Sequence, residues 1–443
     1  MNSATASPNL PERATHVRWH ILASATAASF ILYLHRSFIA QILSVKKVRD
    51  ELGLDDDKLS YTFFAFFFSY ALCQVPMGMV ADAFGRRKAF TLYVVCWSLF
   101  TALGGLANGF AMMFFIRLML GIAQAGAYPA AGGLVAQWVP PAQRGRASAL
   151  ISSGGRLGGV FYGMLTAWML VSLHMPWQQV MFWYGGAGVL IGIWFWIVAR
   201  NEPREHPWCN AAEIEFIEHG RVPEQAGTTG PVRAPIREMC ESPVMWCMAV
   251  AQFGTNIGWA FVITTLPKFY ADRDDVDADD IGMMVSAVWA CGFLGTLFGG
   301  RLVDYTTHRY GQRWGRILPT IVTRFVAAGL YVVGLLTSDP YAVTVAFAAA
   351  TFFNDLGIPG IWAFAQDVGG RSVGAVLGFG NMFGNLGAAA AAPIYLWANR
   401  TLFDSPTDHR GTIIAAMVGY VIAGIAAFGI NAAKPIGAPK EPS

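Results

Sequence analysis

The sequence predicts an all-α membrane protein of twelve transmembrane helices, arranged as two pseudo-symmetric bundles of six. Three observations support this fold class. Hydrophobic residues make up 55% of the 443-residue chain and charged residues only 13%, about half the share of a soluble domain. Apolar runs long enough to cross ~30 Å of hydrocarbon can be counted twelve times. The two halves of the chain also repeat one another, with Gly78 and Asp82 echoed by Gly300 and Asp304.

Each apolar run is expected to be helical, because lipid offers no hydrogen-bond partner to a backbone amide. The short stretches interrupted by proline and glycine are tolerated inside a packed bundle. In chain order, the runs are Trp19–Leu43, Leu59–Val80, Ala89–Ala107, Phe110–Trp138, Ser148–Leu173, Trp177–Ala199, Pro243–Phe269, Ile281–Val303, Ile317–Thr337, Tyr341–Gln366, Ser372–Ala398 and Thr412–Ala432.

The rest of the composition excludes several classes of function. A soluble enzyme does not fit, and a net charge of +3 is too small to imply a nucleic acid or another polyanion as partner. The six cysteines form no CxxC pair, and most lie within apolar runs, so we interpret them as packing residues and expect no metal and no cofactor. The first 17 residues are polar, and no cleavable signal peptide is expected.

The basic residues predict the orientation. Most lysines and arginines fall in alternate loops, on one side of the predicted helices. This side is expected to be cytoplasmic, with both termini in the cytoplasm and the protein in the cytoplasmic (inner) membrane. One long polar segment, Arg200–Glu241, divides the chain. The predicted domains are an N-terminal bundle (1–200), a cytoplasmic linker (201–242) and a C-terminal bundle (243–443).

The most specific motif runs Gly-Met-Val-Ala-Asp-Ala-Phe-Gly-Arg-Arg-Lys from Gly78 to Lys88. It resembles the loop 2–3 signature of the major facilitator superfamily, GxxxDxxGRR/K. Its glycines allow close helix approach, and its aspartate can accept charge-assisted hydrogen bonds. The resemblance implies a gate that holds one face closed, and a looser copy of the motif contains Asp304. The matching gating residues are Gly78, Asp82, Gly85, Arg86, Arg87 and Asp304.

Arg36 in the first run and Arg117 in the fourth are charges inside the membrane, where charges are costly and usually functional. Each lies about eight residues, or ~12 Å, from the outer end of its run, so the two guanidinium groups are expected at similar depth. A pair of guanidinium forks suits bidentate recognition of a carboxylate or a phosphate. The alternative is that one of them pairs with a structural carboxylate.

The surroundings of these arginines resemble the anion:cation symporter family. Tyr33-Leu-His35-Arg36 is similar to that family's helix-1 segment Y-x-D/H-R, and the stretch from Arg117 to Tyr128-Pro129 looks like its helix-4 pattern. The resemblance implies a monomer that imports small organic anions, such as galactonate, glucarate, hexuronates or aromatic carboxylates, generally with protons. The residues expected to contact the anion are Tyr33, Arg36, Tyr70, Arg117, Gln124, Asn256, Trp362, Asn381 and Asn385.

Two departures from that family concern proton coupling. His35 and Gln124 stand where proton-coupled relatives have acidic residues. Asp355 lies about 15 residues, or ~22 Å, into the tenth run and therefore near the midplane. We hypothesise that Asp355, together with His35, carries the proton. The alternative is a structural Asp355 paired with Arg156 or Arg324, and the sequence leaves open whether Arg156 belongs to the substrate cluster.

The predicted function is secondary active transport of a sugar acid of the hexonate, hexuronate or glucarate type, by alternating access and with proton coupling. An organophosphate:phosphate antiporter would need a cation on the seventh helix, where this chain offers Asn256. An uncoupled organic-anion uniporter is another alternative. A membrane enzyme is not expected, because the eight histidines are scattered, and a non-transporting sensor is favoured only by the missing carboxylates.

Overall fold

The computed structural model describes residues 13–219, 236–273, 275–276, 278–404 and 408–433. Residues 1–12 of the predicted N-terminal bundle, 220–235 of the predicted linker and 434–443 of the predicted C-terminal bundle lie outside these ranges. The first six long helices are α1 (Val17–Ser44), α2 (Asp56–Phe84), α3 (Arg86–Gly104), α4 (Phe110–Ala125 and Ala127–Trp138), α5 (Arg144–Ala167) and α6 (Trp177–Val198). The last six are α7 (Pro243–Ala260, continued by Phe261–Thr265 and Leu266–Ala271), α8 (278–310), α9 (312–336), α10 (Pro340–Leu356 and Ile358–Val368), α11 (Val373–Phe403) and α12 (His409–Ala427).

The predicted all-helical membrane architecture is confirmed. In the described part of the chain, nine helical stretches are long and apolar enough to cross a membrane. One of them, Met283–Leu336, is a double crossing that turns at Gly311, where φ is 75°. The two helices outside this set are α3, which begins with three basic residues, and α5, which is rich in glycine and serine. Counting the divided stretch twice and adding these two gives the predicted twelve.

Apolar packing joins the two halves mainly at one face, which we call the linker face because α1 begins there and α6 leads into the linker. The larger core contains residues of all six N-terminal helices and continues into the linker-face ends of the C-terminal helices. Met245 of α7, Phe364 of α10 and Leu377 of α11 belong to it. A second core lies within the C-terminal half, toward the opposite face. The described conformation is therefore packed shut at the linker face.

Two helices are broken at equivalent places. Glycine interrupts α4 at Gly126 and α10 at Gly357, and a proline follows two or three residues later, at Pro129 and Pro359. Proline cannot donate a backbone hydrogen bond, so it frees a carbonyl in the preceding turn. At α10 the carbonyl of Asn354, one residue before the carbonyl that Pro359 frees, accepts a hydrogen bond from the side chain of Arg324 on α9. The breaks place polar groups at mid-membrane height in both halves.

The first part of the linker is bound to the N-terminal end of α1. A short linker helix, Ala211–Glu218, presents Glu213, whose carboxylate is fully buried. It accepts hydrogen bonds from the hydroxyl of Thr15 at 2.5 Å and the backbone N–H of Val17 at 3.0 Å, and it pairs with the guanidinium of Arg18 at 2.9 Å. Burial opposes ionisation of Glu213, but these hydrogen bonds outweigh it and hold its pKa below the ordinary value.

We expect Glu213→Gln to lower the thermal midpoint of unfolding at pH 7, because breaking a buried ion pair costs about 3–5 kcal/mol. The folded-state pKa of Glu213 is depressed, so its contribution is complete above the unfolded-state pKa of about 4.3 and is lost as the pH falls through the folded-state pKa. The difference in thermal midpoint between wild type and Glu213→Gln should therefore become smaller below about pH 4. Glu215→Gln, an exposed position on the same helix, is the control, and an equal effect there would contradict the assignment.

Candidate anion-binding cavity

A cavity of about 130 Å³ lies between the two halves, beside the breaks in α4 and α10. Among the described residues that line it, the charged ones are Arg36 and Arg156. Seven of the nine side chains expected to contact an anion are on its wall: Tyr33, Arg36, Tyr70, Asn256, Trp362, Asn381 and Asn385. The other lining residues are Tyr128, Ser152, Arg156, Gln252, Thr255, Trp259, Thr296, Asn354, Ile358, Ile361 and Gly384.

Arg36 is held in the cavity wall by aromatic rings and one amide. Its guanidinium carbon lies 4.3 Å from the ring centre of Tyr70 and 4.9 Å from that of Tyr33. Its Nε donates to Oε1 of Gln124 at 3.4 Å, and its Nη2 is buried without a hydrogen-bond partner. No carboxylate of the described chain forms an ion pair with Arg36. The guanidinium is thus oriented but not neutralised, which is the arrangement that an anionic ligand would complete.

Gln124 lies behind Arg36 and not on the cavity wall. It is fully buried, and its Nε2 donates to the carbonyl of Leu32 at 3.3 Å while its Oε1 faces Arg36. The amide therefore ties the Arg36 side chain to the backbone of α1. The expected contact between Gln124 and a substrate hydroxyl is absent from this geometry, because both ends of the amide are engaged by the protein. Gln124 positions Arg36.

Arg117 is also separate from the cavity. It is 2% exposed and stacks on Phe66, 4.5 Å from the ring centre, and Phe66 lies against Arg36 as well. The side chain of Arg117 lines a small second cavity inside the N-terminal half, together with His35. Its Nε and Nη1 have no hydrogen-bond partner there. The two arginines are close in height, as expected, but they do not form one paired fork around a common ligand.

His35 connects three helices of the N-terminal half. Its Nε2 lies 2.8 Å from the carbonyl of Tyr184 on α6, and its Nδ1 lies 3.2 Å from the hydroxyl of Thr101 on α3. A neutral imidazole donates from Nε2 to that carbonyl, and the hydroxyl of Thr101 divides its one hydrogen between Nδ1 and the carbonyl of Trp97, which lies nearer at 2.8 Å. His35 is absent from the wall of the central cavity. The structure therefore does not bring it together with Asp355, its expected partner in proton transfer.

Asp355 forms an ion pair across the two halves. Its Oδ1 accepts from Nη2 of Arg156 at 2.7 Å and from Nδ2 of Asn354 at 2.8 Å. Its Oδ2 is buried, has no hydrogen-bond partner and faces Gly292 of α8. The sequence left open whether Asp355 carries a proton or pairs with Arg156 or Arg324. In the structure, Asp355 pairs with Arg156. The nearby Arg324 instead donates from Nη1 to the backbone carbonyl of Asn354 at 2.6 Å.

Two aspartates fasten the halves together at the linker face in the same way. Asp82 of α2 accepts from the backbone N–H groups of Gly374 and Ala375, at 3.1 and 3.0 Å, in the first turn of α11. Asp304 of α8 accepts from the backbone of Gly145 and Arg146, at 2.9 and 3.1 Å, in the first turn of α5. Each carboxylate thus satisfies the free donors at the positive end of a helix from the other half.

Asp367, at the end of α10, is a third aspartate that connects the two halves, and no role was predicted for it from the sequence. Its Oδ1 accepts from Nη1 of Arg144 at 2.7 Å, and its Oδ2 accepts from Nε of Arg316 at 2.8 Å. The three side chains are at most 3% exposed. Arg144 belongs to the N-terminal half and Arg316 to the C-terminal half, so this carboxylate is shared across the interface. The signal available in the sequence was a lone aspartate between an apolar run and Arg371.

The other residues that were predicted to form a gate have distinct positions. The backbones of α2 and α11 touch at Gly78, where an added Cβ would lie 2.3 Å from the carbonyl oxygen of Gly374. Gly85 is the one residue between α2 and α3 and has φ 88°, so the predicted loop is a single residue. Arg86 pairs with Asp82 at 3.4 Å. Arg87 differs from expectation, because it donates to the carbonyl of Trp196 within the N-terminal half and does not cross the interface.

Comparison with known proteins decides the family. The sequence model of the Major Facilitator Superfamily matches residues 25–392. This chain belongs to the Major Facilitator Superfamily. It is a transporter and not an enzyme, and its many membrane-spanning helices place it in a membrane. The resemblance to sugar-acid carriers of the anion:cation symporter type is also confirmed, since the similar curated proteins include galactarate/D-glucarate and galactonate transporters.

The relatives span nearly the whole chain. The probable galactarate/D-glucarate transporter GarP of Escherichia coli K12 is 29% identical over 430 residues, covering 93% of this chain and 95% of the relative. A D-galactonate transporter of Escherichia coli O6:H1 is 25% identical, with 81% and 83% covered. Among solved structures, the human organic anion transporter MFSD10 matches with a TM-score of 0.70 at 13% identity, covering 93% of this chain and all of that one. This last likeness concerns the fold alone.

The buried charges of this superfamily member are distributed unevenly. At the linker face, three arginines (Arg86, Arg144 and Arg316) accompany three aspartates (Asp82, Asp304 and Asp367). On the wall of the central cavity, the described charged residues are Arg36 and Arg156, and Arg156 has a carboxylate partner, Asp355. The closed face is therefore balanced, while Arg36 leaves the cavity with one cation that no described carboxylate compensates. An uncompensated buried charge is unfavourable, so the cavity region is suited to receive an anion.

Proposed function

We propose that this transporter carries sugar acids across the cytoplasmic membrane, with the carboxylate of the substrate bound to Arg36. The observation that carries the proposal is the unpaired guanidinium of Arg36 on the wall of a cavity with an excess of cations. Similarity to transporters named for galactarate, D-glucarate and D-galactonate supports a sugar acid. In a dry site, a guanidinium and a carboxylate form two parallel charge-assisted hydrogen bonds.

The rest of the wall suits a polyhydroxylated chain. Amide groups of Gln252, Asn256, Asn381 and Asn385 face the cavity from α7 and α11. Side-chain amides both donate and accept, which matches hydroxyl groups that do the same. The rings of Tyr33, Tyr70 and Trp362 provide apolar faces for the C–H groups of the substrate. Arg36 would thus select the charge, and the amides opposite it would select the hydroxyls.

Alternating access would operate through the linker face. We propose that this face is cytoplasmic, because the arginine-rich loops are there, so the described conformation is closed to the cytoplasm. To open that face, the two halves must release Asp82 and Asp304 from the helix ends and separate Asp367 from Arg144. When these groups separate, water replaces the protein partners that they lose. The closed and open conformations can therefore be similar in free energy, and a bound substrate can shift their populations.

Proton coupling is assigned to Asp355, which lies next to the cavity and touches both halves. A proton on Asp355 would remove its charge and weaken its hold on Arg156, which links protonation to the contact between the halves. The neutral contacts of His35 within the N-terminal half give it a packing role in this conformation. Asp355 is the carboxylate of the described chain that is available for coupling at the level of the cavity.

Counterflow in proteoliposomes tests the function. Vesicles preloaded with galactarate should take up labelled galactarate, and an acidic exterior should increase accumulation. Trans-stimulation by glycerol phosphate and not by sugar acids would instead favour the organophosphate antiporter. That alternative is disfavoured by α7, whose described contribution to the cavity is Gln252, Thr255, Asn256 and Trp259, without a cation. Counterflow that ignores the pH gradient would indicate an uncoupled uniporter.

A further inference from the structure

Arg156 is the second guanidinium on the cavity wall, and only part of it is used by the protein. Asp355 engages it through a single contact, from Nη2 to Oδ1 at 2.7 Å. A guanidinium and a carboxylate can instead form two parallel hydrogen bonds, which is the stronger arrangement. The group rests against Trp259, 5.3 Å from the ring centre, and keeps access to the cavity. Arg156 is therefore a cation that faces the cavity but is held by a monodentate internal partner.

We propose that Arg156 is a second carboxylate-binding position, and that Asp355 occupies it until a substrate with two anionic groups displaces the aspartate. The inference rests on the proposed function, in which Arg36 holds the first carboxylate. Arg36 comes from α1 and Arg156 from α5, and both reach the same cavity, so one molecule can meet both. A six-carbon sugar diacid bears its carboxylates at the two ends of a hydroxylated chain, and this chain would meet the amides that α7 and α11 contribute to the cavity wall.

The distribution of charge favours a dianion. The cavity wall holds two arginines, Arg36 and Arg156, and the aspartate beside them, Asp355, pairs with Arg156 alone. A monoanion occupies Arg36 only, whereas a dianion occupies both arginines, and the displaced Asp355 is neutralised by a proton. Interactions between charges are stronger in a poorly solvated interior than in water, so the second negative charge adds affinity there. A monoacid of the same length would bind Arg36 and leave the pair of Arg156 and Asp355 intact.

Displacement also changes the surroundings of Asp355. The charged and titratable groups that face it are Arg156 from α5, Arg324 from α9 and Tyr420 from α12, while α8 presents Gly292. When a substrate carboxylate takes Arg156, Asp355 loses its direct cation, and its second oxygen already has no hydrogen-bond partner. A buried carboxylate in that position is more stable with a proton. Binding of a diacid should therefore take up a proton from solution, whereas binding of a monoacid should not.

Titration calorimetry of the purified full chain with galactarate and galactonate tests the inference, because these acids differ only at carbon 6. Wild type should bind galactarate at least about tenfold more tightly than galactonate, as expected for one additional charge-assisted contact. Arg156→Gln should remove this preference, so that the two acids bind with similar affinity. Asp355→Asn, which frees Arg156, should raise galactarate affinity. The double variant R156Q/D355N, which contains no unpaired buried acid, should behave like Arg156→Gln and controls for misfolding.

Proton uptake is measured by repeating the titrations near neutral pH in two buffers of different ionisation enthalpy. Galactarate should take up close to one proton per molecule in wild type and none in Asp355→Asn, and galactonate none in either. If the double variant keeps the wild-type preference, or if both acids take up equal numbers of protons, the role of Arg156 and Asp355 is overturned while that of Arg36 stands. If wild type binds neither acid, the proposed function fails together with the inference.

Discussion

Arg36→Ala is expected to abolish binding and counterflow of sugar acids. The substrate would lose two charge-assisted hydrogen bonds, each worth about 1.5–3 kcal/mol, so affinity should fall by about a hundredfold or more. Arg36→Lys should keep part of the lost affinity, because an ammonium retains the positive charge but not the planar fork of a guanidinium. Calorimetry with galactonate reports the Arg36 contact alone, since this acid has one carboxylate.

Arg237→Ala is the matched control for Arg36. Its side chain is 86% exposed, on the short helix Ile236–Glu241, and its partner is the exposed Glu241. This substitution removes a guanidinium without touching the cavity, and it should leave affinity within about twofold, as is usual for exposed pairs. Equal binding of galactonate by wild type and Arg36→Ala would show that the carboxylate binds elsewhere.

Asp367→Asn should shift the protein away from the conformation that is closed at the linker face. The substitution leaves Arg144 and Arg316 buried without their shared carboxylate. Loss of one partner in such a pair costs about 3–5 kcal/mol, which corresponds to a change of more than a hundredfold in a conformational equilibrium. The cost falls on the closed state, because opening lets Arg144 reach water.

Spin labels at the linker-face ends of α3 and α9 can measure this shift, for example on Lys88→Cys and Gln312→Cys after the native cysteines are replaced. The longer distance should become the main population in Asp367→Asn. Asp275→Asn is a suitable control, because Asp275 is about half exposed at the opposite face and pairs with Arg273. A distance distribution that remains at the wild-type value would show that Asp367 does not hold the halves together.

The twelve helices and their division into two halves were predictable because each follows from local information. A run of about 20 apolar residues must be helical in lipid, whatever surrounds it. The helix ends were less predictable, since several helices continue past their apolar run. One example is α2, which extends to Phe84 and so carries Asp82 within the helix. The loop motif predicted there is reduced to Gly85.

The site was predictable only in part. Position along a helix gives the height of a side chain in the membrane, and the heights of Arg36 and Arg117 were similar, as expected. The direction in which a side chain points depends on neighbours far away in sequence. Phe66 and Gln124 turn Arg36 toward the cavity, while Arg117 points toward His35. The pairing of Asp355 with Arg156 joins residues 199 positions apart, a separation that no local pattern reports.

The contacts of Asp82 and Asp304 with helix ends have a consequence for mutational tolerance. Every residue except proline carries a backbone N–H group, so other substitutions at Ala375 and Arg146 keep the donor. The residue before each of them has no such freedom. A Cβ at Gly374 would lie 2.6 Å from the carbonyl of Gly78, and one at Gly145 would lie 2.5 Å from Asp304 itself. In a saturation screen, Asp82, Gly374, Asp304 and Gly145 should therefore tolerate few substitutions. The exposed Arg146 should tolerate many, whereas Ala375, which is fully buried, should accept only small residues.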